Sequence, residues 1–365
     1  MKISKQSINQ AHRLERISRK IYHRLDHQRL AIEARRSCRQ QLKSMNGGFK
    51  GTNQQFQKDV LTFWNSYNIK PHKMWFDLYG FKDQRYNPYY IPEDIYWTTI
   101  YPKVNKVEFR QAYTDKCFYD RLFPTLKQPR FILKNSHGIL YDQQHNIITY
   151  DMALNLLSKE TTFVIKPSIH SGEGIDITFY KQRQYSIDNL LQSYQSNYII
   201  QEIADQHEIL KSLHPESLNT IRIISYLYQG EVHISSAILR IGQGGSKLDN
   251  FTSGGVAVAI NDDGSLHTKG VNVLGQWLTH HPDTNIEFES ITLPNYNKVI
   301  EAVKQAHLLT HHFMIIGWDF TIDKDGEPLF IEYNGAPGMN QITGGPLFGK
   351  HTKEILNSLL IKGGI

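Results

Sequence analysis

The chain has 365 residues and a net charge of +6, with 40% hydrophobic and 21% charged residues. This length fits two or three packed lobes, and the composition is that of a globular protein, which excludes the disordered and fibrous classes. No apolar run reaches the roughly 18 residues that a membrane span needs, and the N-terminus lacks the apolar segment of a signal peptide, so we expect a cytoplasmic protein.

The positive charge is concentrated at the N-terminus. The first 50 residues hold 13 Lys or Arg and 3 Asp or Glu, whereas the rest of the chain holds 28 and 32. We therefore expect no nucleic-acid partner for the body of the protein. The two cysteines, Cys38 and Cys117, are too few for a disulfide framework or a zinc cluster, and we expect plain thiols.

Residues 7–43 contain neither Gly nor Pro, and apolar residues recur three and four positions apart, which predicts a long amphipathic helix ending at the Asn-Gly-Gly of 46–48. The interpretation that we favour docks the apolar stripe on the protein's own body. The alternative is that this basic helix binds an anionic membrane surface or a partner protein. The stripe consists of Ile8, Ala11, Leu14, Ile17, Ile21 and Leu25.

Residues 51–105 are rich in aromatic side chains and interrupted by prolines, which indicates a small helical lobe followed by an irregular connector. Further along, short β-rich runs alternate with helical stretches at 185–195 and 296–311. This pattern predicts an α+β fold with mostly antiparallel pairing. The predicted strands are residues 130–134, 162–166, 198–201, 221–228, 232–239, 256–260, 315–322 and 329–333.

A β-hairpin is predicted around the Asp-Lys-Asp-Gly of residues 323–326. With a four-residue loop, Asp319 lies opposite Phe330, and Glu332 and Asn334 share its face, whereas a loop one residue longer would reverse this parity. Carboxylates that face a core are costly unless they are paired or bind a cation, and two carboxylates with one amide suit Mg²⁺. The alternative is an edge hairpin with these polar residues on a solvent face.

A second polar segment follows the predicted strand that ends at Lys166. Pro167 closes the strand, and a loop rich in Ser and Gly comes next, whose backbone N–H groups could wrap phosphate oxygens. The motif is neither a Walker loop nor a dinucleotide fingerprint. A tight turn beside a surface lysine is the alternative interpretation.

The order of these segments resembles that of the ATP-grasp superfamily over about residues 106–350. The segments that carry the resemblance are Asp115-Lys116, Lys166 with its loop, the Tyr-Ile-Ile-Gln-Glu of 198–202, and the set Asp319, Glu332 and Asn334. The Glu-Tyr-Asn-Gly-Ala-Pro-Gly-Met of 332–339 is similar to the metal-binding end of the D-alanine ligase branch. Four further segments resemble the sugar-transfer-associated ATP-grasp group: Ser-Leu-Asn-Thr-Ile-Arg-Ile at 217–223, Arg240-Ile-Gly, Asp249-Asn250 with Gly254-Gly255, and Gly317-Trp-Asp319.

The resemblance implies an ATP-grasp fold, in which two lobes of antiparallel sheet with helices clasp ATP, preceded here by an N-terminal helical region. The expected organisation is a basic amphipathic helix at 1–50 and an aromatic-rich helical lobe with connector at 51–105. An ATP-grasp lobe with the phosphate lid at 106–200 and a lobe with the metal site at 201–365 follow. The superfamily's usual N-terminal α/β lobe is replaced by this helical region, so the substrate site is expected to differ.

The resemblance also implies nucleotide-binding roles. Lys116 and Lys166 would hold the α- and β-phosphates. Glu208 would bind the ribose hydroxyls, although its spacing from Glu202 does not quite fit the ligase branch. The phosphate lid would include Ser168, Ser171, Gly172 and Gly174, and the hinge that binds adenine would consist of Gln201, Glu202 and Ile203.

For the chemistry, the resemblance implies two Mg²⁺ ions held by Asp319, Glu332 and Asn334, with Glu332 bridging. Arg222 and Arg240 remain as cations for the transferred phosphoryl group and the developing oxyanion, because guanidinium geometry suits both. A structural salt bridge is the alternative for each arginine.

The implied function is an ATP-dependent carboxylate–amine ligase that forms an amide through an acyl phosphate. Its substrates would be a small-molecule or sugar-linked carboxylate and an amine, and the setting cell-surface polysaccharide synthesis, with an amino acid joined to a uronic acid sugar. One alternative is a sugar or alcohol kinase on the same framework. Another is a non-catalytic nucleotide sensor whose basic helix recruits glycosyltransferases.

Overall fold

The computed structural model describes residues 5–44, 53–80, 87–169, 174–182, 184, 186–249, 251 and 254–361. The chain divides into two compact units, one of Met1–Val104 with Pro346–Ile365 and one of Asn105–Gly345. The four-part division expected from the sequence stays a prediction.

In the described part of the chain, only helices precede Phe131, and strands and helices are mixed after it. The α-helices are α1 (Lys5–Ser44), α2 (Gln54–Asn65), α3 (Lys73–Tyr79), α4 (Glu93–Ile95), α5 (Tyr101–Val104), α6 (Val107–Tyr113), α7 (Tyr119–Leu122), α8 (Tyr150–Leu157), α9 (Ile187–Tyr194), α10 (Glu208–Leu213), α11 (Tyr296–Leu308), α12 (Gln341–Gly344) and α13 (Thr352–Leu356). The strands are β1 (Phe131–Ser136), β2 (Ile139–Tyr141), β3 (Ile147–Ile148), β4 (Thr162–Pro167), β5 (Thr178–Lys181), β6 (Tyr198–Gln201), β7 (Thr220–Tyr228), β8 (Glu231–Ile241), β9 (Val256–Ile260), β10 (Leu266–Asn272), β11 (Trp277–Leu278), β12 (Ile315–Ile322) and β13 (Pro328–Asn334).

In the first unit, α1 docks through a different face from the one expected. Its buried residues recur three and four positions apart in the C-terminal half and are mostly small: His27, Ala31, Ala34, Cys38 and Gln41. The Arg35 guanidinium also pairs with Asp94 at 2.7 Å, where the chain enters α4.

The apolar stripe in the N-terminal half of α1 is exposed. Leu14, Ile17, Ile21 and Leu25 are between 44% and 61% accessible, so the expectation that this stripe docks on the body is wrong for these residues. Periodicity identifies an apolar face but not what covers it, and the small side chains further along allow the closer approach. Among the described helices, none combines the length and apolar character needed to cross a bilayer.

The second unit contains two sheets in its described residues. The first has the strand order β3-β2-β1-β6-β4-β5 and the second β11-β10-β9-β8-β7-β12-β13, and every pairing between these strands is antiparallel. Phe163 and Ile165 of β4 belong to the core of the first sheet, whereas Trp318 and Phe320 of β12 belong to that of the second. The predicted α+β class with antiparallel pairing is confirmed.

The β12–β13 hairpin has a longer loop than predicted. Ile322 pairs with Pro328, and the Asp323 N–H donates a hydrogen bond to the Glu327 carbonyl at 2.9 Å, so five residues form the turn. Gly326 in this turn has a φ of 82°, in the left-handed region that favours glycine.

A β-bulge then changes the register of the same hairpin. Phe320 pairs with Phe330, but the next pair joins Asp319 to Glu332, which leaves Ile331 as an extra residue on β13. The predicted pairing of Asp319 with Phe330 is therefore wrong. The longer loop and the bulge each shift the alternation of side chains on β13 by one residue. The two shifts cancel, so Asp319 and Glu332 still face the same side of the sheet.

Candidate functional site

A cavity of about 270 Å³ lies between the two sheets of the second unit. The six-stranded sheet contributes Val164 and Lys166, and the seven-stranded sheet contributes Arg240, Asp319 and Glu332. A larger cavity of about 500 Å³ lies near β2, β3 and α9 and contains none of the predicted site residues. The predicted residues that line the cavity between the sheets are Lys116, Lys166, Gly174, Gln201, Glu202, Ile203, Arg240, Asp319 and Glu332.

Two lysines reach this cavity from separate elements. The alternation of β4 directs Phe163 and Ile165 into the core and Lys166 into the cavity. Lys116 is the first residue of a short 3₁₀ helix capped by Asp115, and its backbone N–H donates to the Ser168 carbonyl at 2.9 Å, which fixes it beside the end of β4. The Lys116 ammonium lies 3.3 Å from the Glu332 carboxylate.

Lys166 is a cation held in a buried position. Burial, together with the nearby charge of Lys116, lowers the pKa of its ammonium to about 8, while Glu332 acts in the opposite direction. Two lysines and a carboxylate therefore interact directly in the free protein. An anionic ligand would replace the repulsion between the lysines by attraction to both.

Asp319 is clamped by two arginines on the cavity face of the seven-stranded sheet. Arg222 lies directly opposite it on β7 and donates from Nε and Nη2 to the two carboxylate oxygens, the second at 2.8 Å. Arg240 on β8 approaches Oδ2 at 3.1 Å. Burial alone would raise the pKa of the Asp319 carboxyl, but the charges and hydrogen bonds of the arginines hold it below the usual value.

Arg240 is oriented from its other side by Thr220 and Asp249. Its Nε and Nη2 donate to the Thr220 hydroxyl oxygen at 3.0 and 2.6 Å, and Asp249 accepts from the Thr220 hydroxyl and backbone N–H. Burial raises the pKa of the Asp249 carboxyl, an effect that Arg240 and Thr220 oppose. The Arg240 guanidinium is thus fixed in position at the cavity wall before any ligand binds.

The predicted metal ligands fit Mg²⁺ by their donor chemistry. Asp319 is held in its ionised form, and Glu332 lines the cavity beside it across the strand pair. Asn334 lies further along β13, and its side-chain oxygen accepts from the Ala336 N–H at 2.8 Å, which leaves a second lone pair. In the described part of the chain, no three His, Cys, Asp or Glu side chains form a metal-binding group, so the set depends on the Asn334 amide as its third donor.

The predicted hinge lies at the edge of the cavity. Gln201 ends β6, and its side-chain amide donates to the Pro129 carbonyl at 3.2 Å. The Glu202 carboxylate turns to Arg130, accepting from its backbone N–H at 3.0 Å and from its Nε at 3.3 Å. The Glu202 backbone N–H also donates to the Arg130 carbonyl at 3.0 Å, so Glu202 is bound to Arg130 through both its side chain and its backbone.

The structure does not bring every predicted residue to the cavity lining. Ser168 is fully buried, Glu208 pairs with Lys211 at 2.9 Å on an exposed part of α10, and Arg222 and Asn334 are not among the lining residues. Ser171 and Gly172 lie outside the described residues. The roles assigned to these residues stay predictions.

Sequence reasoning missed several polar residues of the cavity. Lys211 and Lys247 add two cations to the lining, and Asp205, which pairs with Lys211 at 2.8 Å, lies next to the hinge. None of them belongs to a compact motif. A signal was available only for Asp205, which closely follows the Gln-Glu pair at 201–202.

Comparison with known families gives a match over most of the chain. A family model described as sugar-transfer associated ATP-grasp matches residues 97–356. No curated protein sequence matches the chain. The match confirms the predicted family and ATP-grasp fold class.

Several solved structures resemble the chain at low sequence identity. An L-amino acid ligase from Bacillus licheniformis is 15% identical with a TM-score of 0.38, over 69% of this chain and 47% of that one. D-alanyl-alanine synthetase A from Vibrio cholerae is 14% identical with a TM-score of 0.39, over 70% and 64%. A D-alanine–D-alanine ligase from Bacillus anthracis is 14% identical with a TM-score of 0.39, over 71% and 69%. The chain thus spans less than two thirds of the length of the first two proteins.

Proposed function

The chain belongs to the sugar-transfer associated ATP-grasp family, and on that basis we propose that it is an ATP-dependent carboxylate–amine ligase. The observation that carries the proposal is the cavity between the two sheets. The cavity has a volume of about 270 Å³, and its lining includes the cations Lys116, Lys166 and Arg240 and the carboxylates of Asp319 and Glu332. Cations together with hard oxygen donors suit a nucleotide triphosphate bound with divalent metal.

In this proposal ATP lies along the cavity, with its phosphates against Lys116 and Lys166 and its base at Gln201, Glu202 and Ile203. Mg²⁺, two ions in this proposal, would be held by the oxygen donors of Asp319, Glu332 and Asn334. When bound, the metal neutralises phosphate charge that would otherwise repel an incoming carboxylate. Gly174, the last residue of the predicted phosphate lid, lines the cavity and has a φ of 76°.

The reaction proceeds in two steps in this proposal. An oxygen of the substrate carboxylate attacks the γ-phosphorus, the bond to the β-phosphate oxygen breaks, and ADP and an acyl phosphate result. An amine nitrogen then attacks the acyl carbon, inorganic phosphate leaves, and the amine loses a proton to give the amide. Arg240 can stabilise the charge that develops during transfer, because Thr220 and Asp249 already fix its guanidinium.

The proposed setting is cytoplasmic synthesis of cell-surface polysaccharide, in which an amino acid is joined to a uronic acid sugar. The family description supports a link to sugar transfer, and the cationic cavity supports an anionic acceptor. The N-terminal helix would provide the contact with a membrane surface or a partner protein.

The test is ADP release by the purified chain, measured with ATP and Mg²⁺ across a panel of uronic acids and amino acids. A ligase releases ADP only with the correct acid, and hydroxylamine should replace the natural amine and give a hydroxamate in step with ADP. Acid-dependent ADP without hydroxamate, together with a stable phosphorylated product, would establish a kinase instead. ATP binding without turnover under every mixture would favour the nucleotide-sensing scaffold.

A further inference from the structure

The first three quarters of α1 present an apolar line to solvent. Leu14, Ile21, Leu25 and Ile32 follow one another at intervals of seven, four and seven residues, which places them on one face of a helix with 3.6 residues per turn. They are between 49% and 61% exposed, and Ile17 beside them is 44% exposed. This face is distinct from the docked one, because Ala31, one residue before Ile32, is buried.

The same line becomes cationic towards the end of the helix. Arg39 and Lys43 continue it at the next intervals of seven and four residues, and Arg36 lies one turn after Ile32. Lys20 and Arg24 each precede a member of its apolar part by one residue, about 100° around the helix. Within the described residues these five side chains are exposed and have no ion-pair partner, whereas Arg29 and Arg35 are paired with carboxylates.

Two acidic side chains that the structure describes on this helix lie off the apolar line. Asp26 and Glu33 each follow one of its members by a single residue, which places them about 100° around the helix. Both are bound by Arg29, at 2.9 and 2.8 Å, and its single positive charge offsets one of their two negative charges. The exposed face therefore combines apolar side chains with uncompensated positive charge.

From this arrangement we infer that α1 docks on an anionic lipid surface, with Leu14, Ile17, Ile21 and Leu25 entering the interface and the lysines and arginines contacting headgroups. Charge complementarity between the cationic helix face and anionic headgroups favours a lipid surface as the partner. A second copy would bring the same positive face against this one. The line also extends straight over 18 residues, about 27 Å, which matches a flat surface better than a compact pocket. The inference depends on α1 alone and not on the proposed ligase activity.

The test is co-sedimentation of the full chain with vesicles of roughly 7:3 phosphatidylcholine to phosphatidylglycerol, compared with phosphatidylcholine alone. We expect binding to the anionic vesicles that is about tenfold or more stronger than to neutral ones, and that is lost in about 0.5 M NaCl. Equal binding to both vesicles, or no binding to either, would overturn the inference.

Two variants probe the two parts of the face. Ile21→Asn with Leu25→Asn removes apolar contact, and Arg39→Glu with Lys43→Glu reverses charge; each should weaken vesicle binding about tenfold with an unchanged midpoint of thermal unfolding. The matched controls are Leu308→Asn on α11 and Lys58→Glu on α2, both at exposed positions, which should bind like the parent chain. Unchanged binding by the α1 variants would contradict the inference, as would a dimer in solution that either pair dissociates.

Discussion

Lys166 is a buried cation in the cavity, and its charge depends on pH. Its ammonium has a pKa of about 8 because of burial and the nearby Lys116. Because this pKa lies below the usual value for lysine, the buried charge of Lys166 destabilises the folded free protein below about pH 8. The destabilisation disappears as the pH rises towards 10.5. Bound phosphate would reverse the balance, because it stabilises the charged form.

The first prediction is that ATP affinity falls as the pH rises through 8. The protonated fraction of a group with this pKa drops about tenfold between pH 7 and pH 9, so the dissociation constant measured by calorimetry should rise by a similar factor. Lys166→Arg is the matched control, because a guanidinium stays charged throughout and should remove most of the dependence. If the dissociation constant of the parent chain for ATP did not change with pH, the assignment of Lys166 to the phosphates would be wrong.

Glu332 is the subject of the second prediction. Glu332→Gln should keep the fold but lower ADP release by about 100-fold or more, because a neutral amide cannot offset the charge of Mg²⁺ and leaves Lys116 without its carboxylate. Glu327→Gln on the same hairpin, whose carboxylate pairs with Lys298 at the surface, is the control and should turn over normally. Near-parental turnover by Glu332→Gln would remove the metal assignment.

The two arginines at Asp319 should respond differently to truncation. Arg222 is mostly buried, is not among the lining residues and binds both oxygens of Asp319, so Arg222→Ala should destabilise the fold by about 3 kcal/mol in denaturant unfolding. Arg240 lines the cavity, and Arg240→Ala should lower hydroxamate formation by about 100-fold with little change in ATP affinity. If Arg240→Ala lowered both quantities equally, the guanidinium would support only the nucleotide pocket.

At the scale of elements, the β12–β13 hairpin decides which carboxylates meet. Its five-residue turn shifts the pairing by one residue and the bulge at Ile331 shifts it again, so that Asp319 and Glu332 become direct neighbours across the strands. Phe330 and Tyr333, three positions apart, consequently both reach the core of the seven-stranded sheet. The hairpin thus carries the polar pair on one side and anchors itself with aromatic rings on the other.

The turn of this hairpin gives the fourth prediction. Gly326→Ala should lower stability by about 1 kcal/mol, because a φ of 82° strains a residue with a Cβ atom. Gly338→Ala is the control, since the added Cβ would meet no atom within 4 Å and its φ lies outside the left-handed region. Thermal unfolding of both variants measures the difference, and equal midpoints would contradict the role given to the turn.

At the scale of the whole molecule, α1 belongs to the first unit through its C-terminal half alone. Cys38 lies within 3.7 Å of the Met74 carbonyl, Arg35 pairs with Asp94, and the His27 ring contacts Tyr101 edge to face. Before residue 26, Leu14, Ile17, Ile21 and Leu25 are exposed. The helix is therefore a structural element at one end and an accessible arm at the other.

The fifth prediction separates these two ends by truncation. Removal of residues 1–44 should cause aggregation, because the surface that covers Ala31, Ala34 and Cys38 becomes exposed. Removal of residues 1–25 should leave a folded, monodisperse protein with the parental ability to bind nucleotide. Size-exclusion chromatography with light scattering measures both, and a monodisperse protein after the longer truncation would contradict the docked role.

The sequence by itself determined the long helix, most of the strands and the family. These depend on local periodicity and on the order of motifs along the chain, both of which are visible in the sequence without a structure. Strands at 198–201, 256–260 and 315–322 have the predicted bounds. Only the tertiary structure decided which face of α1 is buried, since covering a helix face is a property of its neighbours. The hairpin register was likewise decided in three dimensions, because a bulge that satisfies core packing leaves no local signature. The same holds for Thr220 and Asp249, which reach Arg240 through the pairing of β7 with β8 and the fold of the loop that follows, and not as neighbours in sequence.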